Sequence, residues 1–293
     1  MESKRMPAII RNIVGKVYQS VLDTLPDYAA VNLMYFATFR RLPNLRHPRT
    51  FNEKIAWRKL YQHNPLFPIF ADKIAVKAEI AKLIGEQHII ETLWAGNNPE
   101  DIPFDSLKPP YVIKVNHSCG GNVFIRTAQD IKRDEIVASM RQQLGFSHGR
   151  RFREWGYLGI PPKVLVERMV EMPDGDVPED YKFSVYHGRV QFIELDCKRF
   201  RGHEENLYDR EWNLLRARYK HPPVSEPVSK PANLGEMIDL AEKIGAHFDF
   251  ARVDLYSPPQ GILFGEVTFY PGAGLAPFIP KDGDNEFGEP WKI

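Results

Sequence analysis

Apolar positions recur at helical spacing through the first ~60 residues. Ile9, Ile10, Ile13, Val14, Val17 and Val21 share one stripe that Leu25-Pro26 ends, which predicts a first helix. A second is predicted over 27–40 and a third over 52–61, with Thr50 or Asn52 able to cap it. Pro65 and Pro68 interrupt the pattern, after which 69–84 repeats as one amphipathic helix with Gly85 as its stop.

The period then changes. Tyr111-Val112-Ile113-Lys114-Val115 is a short apolar run behind Pro109-Pro110, the mark of a buried strand, and 122–125 returns from it through Gly120-Gly121. A helix is predicted over 133–144 and a strand over 163–168. Segments 181–186 and 189–195 alternate around His187-Gly188 as a hairpin. A helix over 234–245, with Asn233 as a candidate cap, precedes strands at 250–256 and 262–268. The Pro-rich stretch 222–231 reads as a linker or surface loop. Strands and helices mix without a regular βαβ rhythm, so the class is α+β or mixed α/β.

Composition narrows the function. The 293 residues are 43% apolar and 26% charged with a formal net charge of +1, which argues against a dedicated nucleic-acid binder. Only Cys119 and Cys197 are present, so no disulfide framework is expected and the chain reads as cytosolic. No run of 18 apolar residues occurs, and Met1 to Arg11 lacks the apolar region of a signal peptide. Residues 1–60 hold eleven Lys/Arg against four Asp/Glu, an excess of seven. Either this is a solvated face, or Arg11, Lys16, Arg40, Arg41, Arg46 and Arg49 form a docking surface for an anionic polymer or the inner face of a membrane.

Three groups of residues can carry chemistry. Lys114 leaves a strand into Asn116-His117-Ser118-Cys119-Gly120-Gly121-Asn122, where glycine amides can cradle phosphate oxygens and the lysine adds a point charge. A plain hairpin with an exposed lysine is the alternative. Arg252-Val253-Asp254 and Glu266-Val267-Thr268 lie on successive strands whose alternation puts Asp254 and Glu266 within reach across a ladder. Paired acids repel unless a cation separates them, and Mg²⁺ takes carboxylates together with nucleotide phosphates; two solvent-facing acids are the alternative. Glu167 ends a strand thirteen residues before Asp180, so the two are placed to hold an adenine and a ribose, or to be surface acids. Cys119 has no evident partner base and is not expected to be a nucleophile.

The order of these pieces resembles the ATP-grasp superfamily, in particular its TupA-like branch, associated with teichuronopeptide and other surface-polysaccharide synthesis. The resemblance runs over about 50–288, through Phe51-Asn52-Glu53-Lys54-Ile55, Ala71-Asp72-Lys73, Lys114-Val115-Asn116-His117, Asp180-Tyr181-Lys182-Phe183, Tyr208-Asp209-Arg210-Glu211-Trp212-Asn213, Arg252-Val253-Asp254-Leu255-Tyr256 and Glu266-Val267-Thr268-Phe269-Tyr270-Pro271-Gly272. It implies an α+β ATP-grasp fold, two α+β lobes with the nucleotide between them. A helical segment at 1–60 would precede an ATP-grasp domain at 61–293, with a lid at about 110–165 and a metal-binding lobe at about 166–288.

It implies further that Lys73 and Lys114 hold ATP phosphates under a loop containing Gly120 and Gly121, that Glu167 lies at the adenine and Asp180 at the ribose, and that Lys182 belongs to the nucleotide set. Asp254 and Glu266 would hold Mg²⁺, and Arg252 would steady the transferred phosphoryl group. Thr268 stands where many ATP-grasp enzymes have Asn as a further metal ligand. The basic run Lys198, Arg199, Arg201 and His203, with Arg199 as a catalytic candidate, would serve the acceptor side or be an ordinary cationic loop. The implied activity is an ATP-dependent carboxylate–amine ligase working through an acyl phosphate, joining an amine or amino acid to a uronic acid unit. A polysaccharide glycosyltransferase, a sugar kinase and a non-catalytic binding module that keeps the fold are the rival readings.

Overall fold

The computed structural model describes residues 8–173, 177–198, 202–219, 221–226 and 228–293, the side chains of 8–14 and 16 excepted. The helical start holds as α1 (Ala8–Thr24) and α2 (Asp27–Phe39), followed by α3 (Phe51–Tyr61). Thr50, not Asn52, caps α3: its hydroxyl accepts from Glu53 N while Glu53 reaches back to the Thr50 amide, a reciprocal capping box. Val17 and Val21 of the apolar stripe face solvent, and α1 buries Leu22 instead against Ala30, Val31, Met34 and Tyr35.

α3 belongs to two cores at once. Ala56 packs with the first two helices, whereas Phe51 and Ile55 enter the main core. Its polar side chains are buried too. Asn52 N and Nδ2 both donate to Asp284 Oδ1 at 2.9 Å, and Lys54 Nζ donates to Gly288 O at 2.9 Å. Arg58 is fully enclosed: it bonds Phe250 O and Phe269 O, pairs with Asp249 at 2.7 Å and lies 4.2 Å over the Trp291 ring. Three of the eleven basic residues in 1–60, Lys54, Arg58 and Lys59, are therefore internal, while Arg40, Arg41, Arg46 and Arg49 remain at the surface.

The helix predicted over 69–84 is two. α4 (Leu66–Ala71) carries Pro68 in its first turn, where no backbone donor is needed, and α5 (Ala75–Ile84) ends at Gly85 with φ 105°. Between them Asp72 Oδ1 accepts from Ile74 N at 2.8 Å and Ala75 N at 3.3 Å, replacing the helical bonds with an Asx turn.

Two antiparallel sheets follow. The first has the order β1 (Thr92–Gly96), β4 (Val164–Arg168), β2 (Tyr111–Val115), β3 (Val123–Ile125), covered by α6 (Arg133–Leu144); Tyr111, Ile113, Val115, Val164, Val166, Ile136 and Met140 form its core. The short α7 (His148–Phe152) lies between α6 and β4. The second sheet has the order β7 (Glu204–Asp209), β6 (Arg189–Cys197), β5 (Asp180–Tyr186), β8 (Phe250–Tyr256), β9 (Leu263–Thr268). Alternation splits this sheet cleanly. Phe183, Val185, Ile193, Leu195, Val253 and Leu255 are buried in the core that takes in Met237, Ala241 and Ile244 of α8 (Leu234–Gly245), while Lys182, Glu194, Asp196, Arg252, Asp254, Glu266 and Thr268 share the opposite face. Asn233 does not cap α8; its amide donates to Ser257 Oγ at 2.8 Å. The chain closes with α9 (Gly283–Gly288) against α3.

Arg58→Ala would leave Asp249 and two carbonyls without their donor, so a loss of about 3–5 kcal/mol is expected in a denaturant titration.

Candidate active site

The break at Asp72 delivers Lys73. Its amide donates to Asn116 O at 3.1 Å, and Asn116 Nδ2 donates back to Asp72 Oδ1 at 2.9 Å, so the turn is tied to the end of β2. The Lys73 ammonium then donates to Ser118 O at 3.0 Å and pairs with Glu266 at 3.2 Å. Burial lowers the Lys73 pKa, but Glu266 outweighs it and the net direction is upward. Burial likewise raises Glu266, and Lys73 with Arg252 overcome it, holding that carboxyl at about 2.

Asp254 and Glu266 are direct partners across β8 and β9, as Arg252 and Thr268 are. Arg252 forks onto Asp254 through Nε at 2.8 Å and Nη2 at 2.7 Å, and Nη2 also reaches Glu266 Oε1 at 3.5 Å and Thr268 Oγ1 at 3.3 Å. The Thr268 hydroxyl donates to Glu266 Oε1 at 3.2 Å. Burial pushes Asp254 up to about 8 against the pull of Arg252, with Asp180 and Glu266 adding like-charge repulsion. Two acids and a hydroxyl on adjacent rungs form the oxygen-only donor set that suits Mg²⁺, and the crowding of Asp254 by two other acids is what a divalent cation relieves.

Beside this charge centre lies a cavity of 310 Å³, walled by Ile90, Val112, Phe124, Met169, Val170 and Tyr256, of a size for a nucleobase. Lys114, Gly120, Gly121 and Glu167 line it too. Glu167 is buried and paired with both Lys114 and Lys77, the latter at 2.6 Å. Burial raises that carboxyl, and the two ammonium groups pull it below the ordinary range. Gly120 (φ 77°) and Gly121 (φ 67°) take left-handed backbone that other residues resist, and Gln143 Nε2 donates to Gly121 O at 2.7 Å.

The expected residues converge in most cases. Lys73, Asp254, Glu266, Arg252 and Thr268 meet directly, and Lys114 lies close enough to draw Glu266 down. Asp180 is buried opposite Asp196 and raises Asp254. Lys182 faces Asp254 in register but is held by Glu194 at 2.7 Å and by Asp196. Arg199 and Arg201 lie outside the described residues. Their neighbour Lys198 is exposed and pairs with Glu204 at 2.9 Å, while His203 pairs with Asp196 at 3.2 Å.

Sequence reasoning passed over Lys77 and an acidic cluster of Glu194, Asp196 and Glu205, whose carboxylates lie within 4.8 Å of one another. Acids at alternate positions of Ile193-Glu194-Leu195-Asp196 were the available signal. It also missed that Cys119 does have a base beside it: His148 Nδ1 lies 3.8 Å from the sulfur.

A cavity for a base, lysines and glycine amides beside it, and an acid pair on adjacent strands define the ATP-grasp class. The family model described as TupA-like ATPgrasp matches residues 53–292, and the chain belongs to that family. No curated protein matches the chain. Among solved structures, it is similar to an L-amino acid ligase from Bacillus licheniformis (12% identity, 85% of this chain, 57% of that one, TM-score 0.46). It is also similar to D-alanine–D-alanine ligase from Bacillus anthracis (18%, 76% and 65%, 0.43) and the ATP-grasp ligase PsnB with its minimal precursor (14%, 78% and 60%, 0.44). The chain spans 57–65% of the length of these ligases. Among the described residues, no helix is long and apolar enough to cross a membrane.

MgADP at a hundredfold excess over its dissociation constant is expected to stabilise the protein by about 2.7 kcal/mol in thermal unfolding. In Asp254→Asn the shift should fall to that given by ADP without metal.

Proposed function

We propose that the protein is an ATP-dependent ligase that joins a carboxylate to an amine through an acyl phosphate. The observation that carries this reading is the single buried chain Lys73–Glu266–Arg252–Asp254 lying next to a base-sized cavity. In this reading the base enters the cavity, with Glu167 acting through Lys114 and through the main chain of Arg168 to Val170 that follows it. Asp180 serves the ribose, and Lys73, Lys114, Lys182 and the amides of Gly120 and Gly121 serve the phosphates. Asp254, Glu266 and Thr268 hold Mg²⁺, which when bound neutralises charge on the phosphoryl oxygens.

The protein's own contribution is positional and electrostatic. Arg252 stands between both acids and the hydroxyl, so it can swing Nη2 to a transferring phosphoryl group while Nε stays on Asp254. A buried guanidinium keeps its proton throughout, held upward by Asp254 and Glu194 against desolvation. Water must be kept from an acyl phosphate, and the loop at 118–121 above Lys73 is the element placed to do so.

On the acceptor side we place Arg199 and its basic neighbours, and as substrates an amino acid or other amine and a uronic acid unit of a surface polysaccharide. The surface arginines Arg40, Arg41, Arg46 and Arg49 are the proposed contact with an anionic polymer or membrane face.

Asp254→Asn and Glu266→Gln are each expected to abolish ATP consumption with an unchanged circular dichroism spectrum; full turnover in both would sink the assignment. An ADP-release screen of uronic acids against amino acids with Mg²⁺ should return ADP together with an amide. ADP with a phosphorylated sugar would identify a kinase instead.

A further inference from the structure

The loop that follows β2 ends its buried stretch at Ser118 and exposes Cys119. The sulfur lies 3.8 Å from His148 Nδ1, at the start of α7. The other ring nitrogen, Nε2, lies 3.1 Å from Glu154 Oε2. Glu154 is only 2% exposed, and its second oxygen is buried without a hydrogen-bond partner. Its nearest charge-bearing contact is the imidazole. A carboxylate so placed requires the ring to carry a proton on Nε2, and a doubly protonated ring then turns its Nδ1–H toward the sulfur. Phe152 at 4.9 Å and Tyr157 at 5.2 Å, ring centre to ring centre, fix the plane of the imidazole between these two partners.

The arrangement is a relay of thiol, imidazole and carboxylate, with the carboxylate buried and Cys119 an exposed residue. We propose that Cys119 is a nucleophilic thiol site, set by the His148–Glu154 pair, which exchanges with small-molecule disulfides and, once modified, closes the nucleotide site. In the exchange the Cys119 sulfur attacks one sulfur of the disulfide and a new S–S bond forms as the old one breaks. Cys119 is oxidised, the departing half is reduced, and its thiolate takes a proton from solvent.

Electrostatics agree with the geometry. The hydrogen bond from His148 leads in lowering the Cys119 thiol, against burial, and the ring rises to about 9, where burial is outweighed by Cys119 and Glu154. The charged groups facing the thiol are His148 from α7, Lys73 from the turn before α5 and Glu266 from β9; Glu154 and Tyr157 stand behind the ring, His117 also acts on it, and Lys59 of α3 acts on Glu154. Cys197 is the internal contrast. It is buried, its thiol donates to Glu179 Oε1 at 3.5 Å, and burial pushes it up to about 12. Only one of the two cysteines is therefore poised to react.

Closure follows from position and rests on the proposed nucleotide site. The residue before Cys119 gives its carbonyl to Lys73, and the two after it are Gly120 and Gly121 of the base cavity. A recess of 600 Å³ lined by Cys119 itself with Gly121, Arg141, Gln143 and Phe146 leaves room for an attached group against the loop.

The test is intact-mass analysis of the full chain treated with oxidised glutathione, and with iodoacetamide across about pH 5 to 9. One adduct is expected, mapped to Cys119. At neutral pH it should form about tenfold faster than on free cysteine, with an inflection well below ~8.5. His148→Gln should remove the rate advantage; should that variant fail to fold, the wild-type inflection decides alone. Binding of a fluorescent ATP analogue should fall in proportion to the adduct and return with reductant, and the disulfide should not change whatever binding Cys119→Ser retains. An inflection at the free-thiol value would overturn the site. Full nucleotide binding by the glutathionylated protein would overturn closure. If untreated protein binds no nucleotide, the ligase reading fails and takes closure with it, whereas the labelling rates still judge the thiol.

Discussion

The site depends on one buried amide. Asn116 is fully enclosed, and its polar groups are engaged in four directions. Its carbonyl takes the Lys73 amide at 3.1 Å, and its own amide donates to Lys163 O at 3.0 Å. Its side-chain oxygen accepts from Lys163 N at 2.7 Å, and its nitrogen donates to Asp72 Oδ1 at 2.9 Å and Pro161 O at 3.1 Å. Each bond adds about 1 kcal/mol net, but an unmade one inside leaves a group that costs about 1–3 kcal/mol. The end of β2, the entry to β4 and the turn bearing Lys73 are thus set as a unit. Because Lys73 goes on to pair with Glu266 of β9, the same amide couples one sheet to the acid pair of the other.

Ion pairs this deep are not there for stability. Removing two charges from water costs several kcal/mol each, and apolar side chains would fill the same face without that penalty. The opposite face of the second sheet shows the alternative, with Phe183, Ile193, Leu195, Val253 and Leu255 against a helix. The polar face instead keeps Lys182 between Glu194 and Asp196, and Arg252 between Asp254 and Glu266. Each of these cations is shared by two acids, so a ligand can take one of its contacts without leaving the charge bare.

The strands were legible because period-two alternation survives even where charges sit inside: Arg252, Asp254, Glu266 and Thr268 fell on the side their spacing gave. The chain order of lysines, glycines and acids carried the family. What stayed hidden was decided by distant partners. Apolar spacing runs unbroken through 69–84, and the break comes from Asp72 meeting Asn116, 44 residues on. The Asp284 carboxylate that holds Asn52 is 232 residues away, so nothing near α3 in the chain announces that its polar side is internal. β1, Thr-Leu-Trp-Ala-Gly, has no residue fully buried and no clear alternation, and β7, Glu-Glu-Asn-Leu-Tyr-Asp, is too acidic to register as a strand. Cys119 and His148, 29 residues apart, are joined only by the way the loop after β2 meets α7.

The sum of charges on the polar face bears on what it can bind. Among the described residues, Asp180, Glu194, Asp196, Glu205, Asp254 and Glu266 make six carboxylates, and Lys73, Lys182 and Arg252 make three cations. A triphosphate brought to such a surface alone would meet net repulsion in a setting where burial strengthens every charge. Lys77 and Lys114 soften this at the base cavity, but they share Glu167. An acidic floor of this kind meets a polyanion with less repulsion when cations arrive with it. The raised carboxyl of Asp254, crowded by Asp180 and Glu266, is the local form of the same deficit.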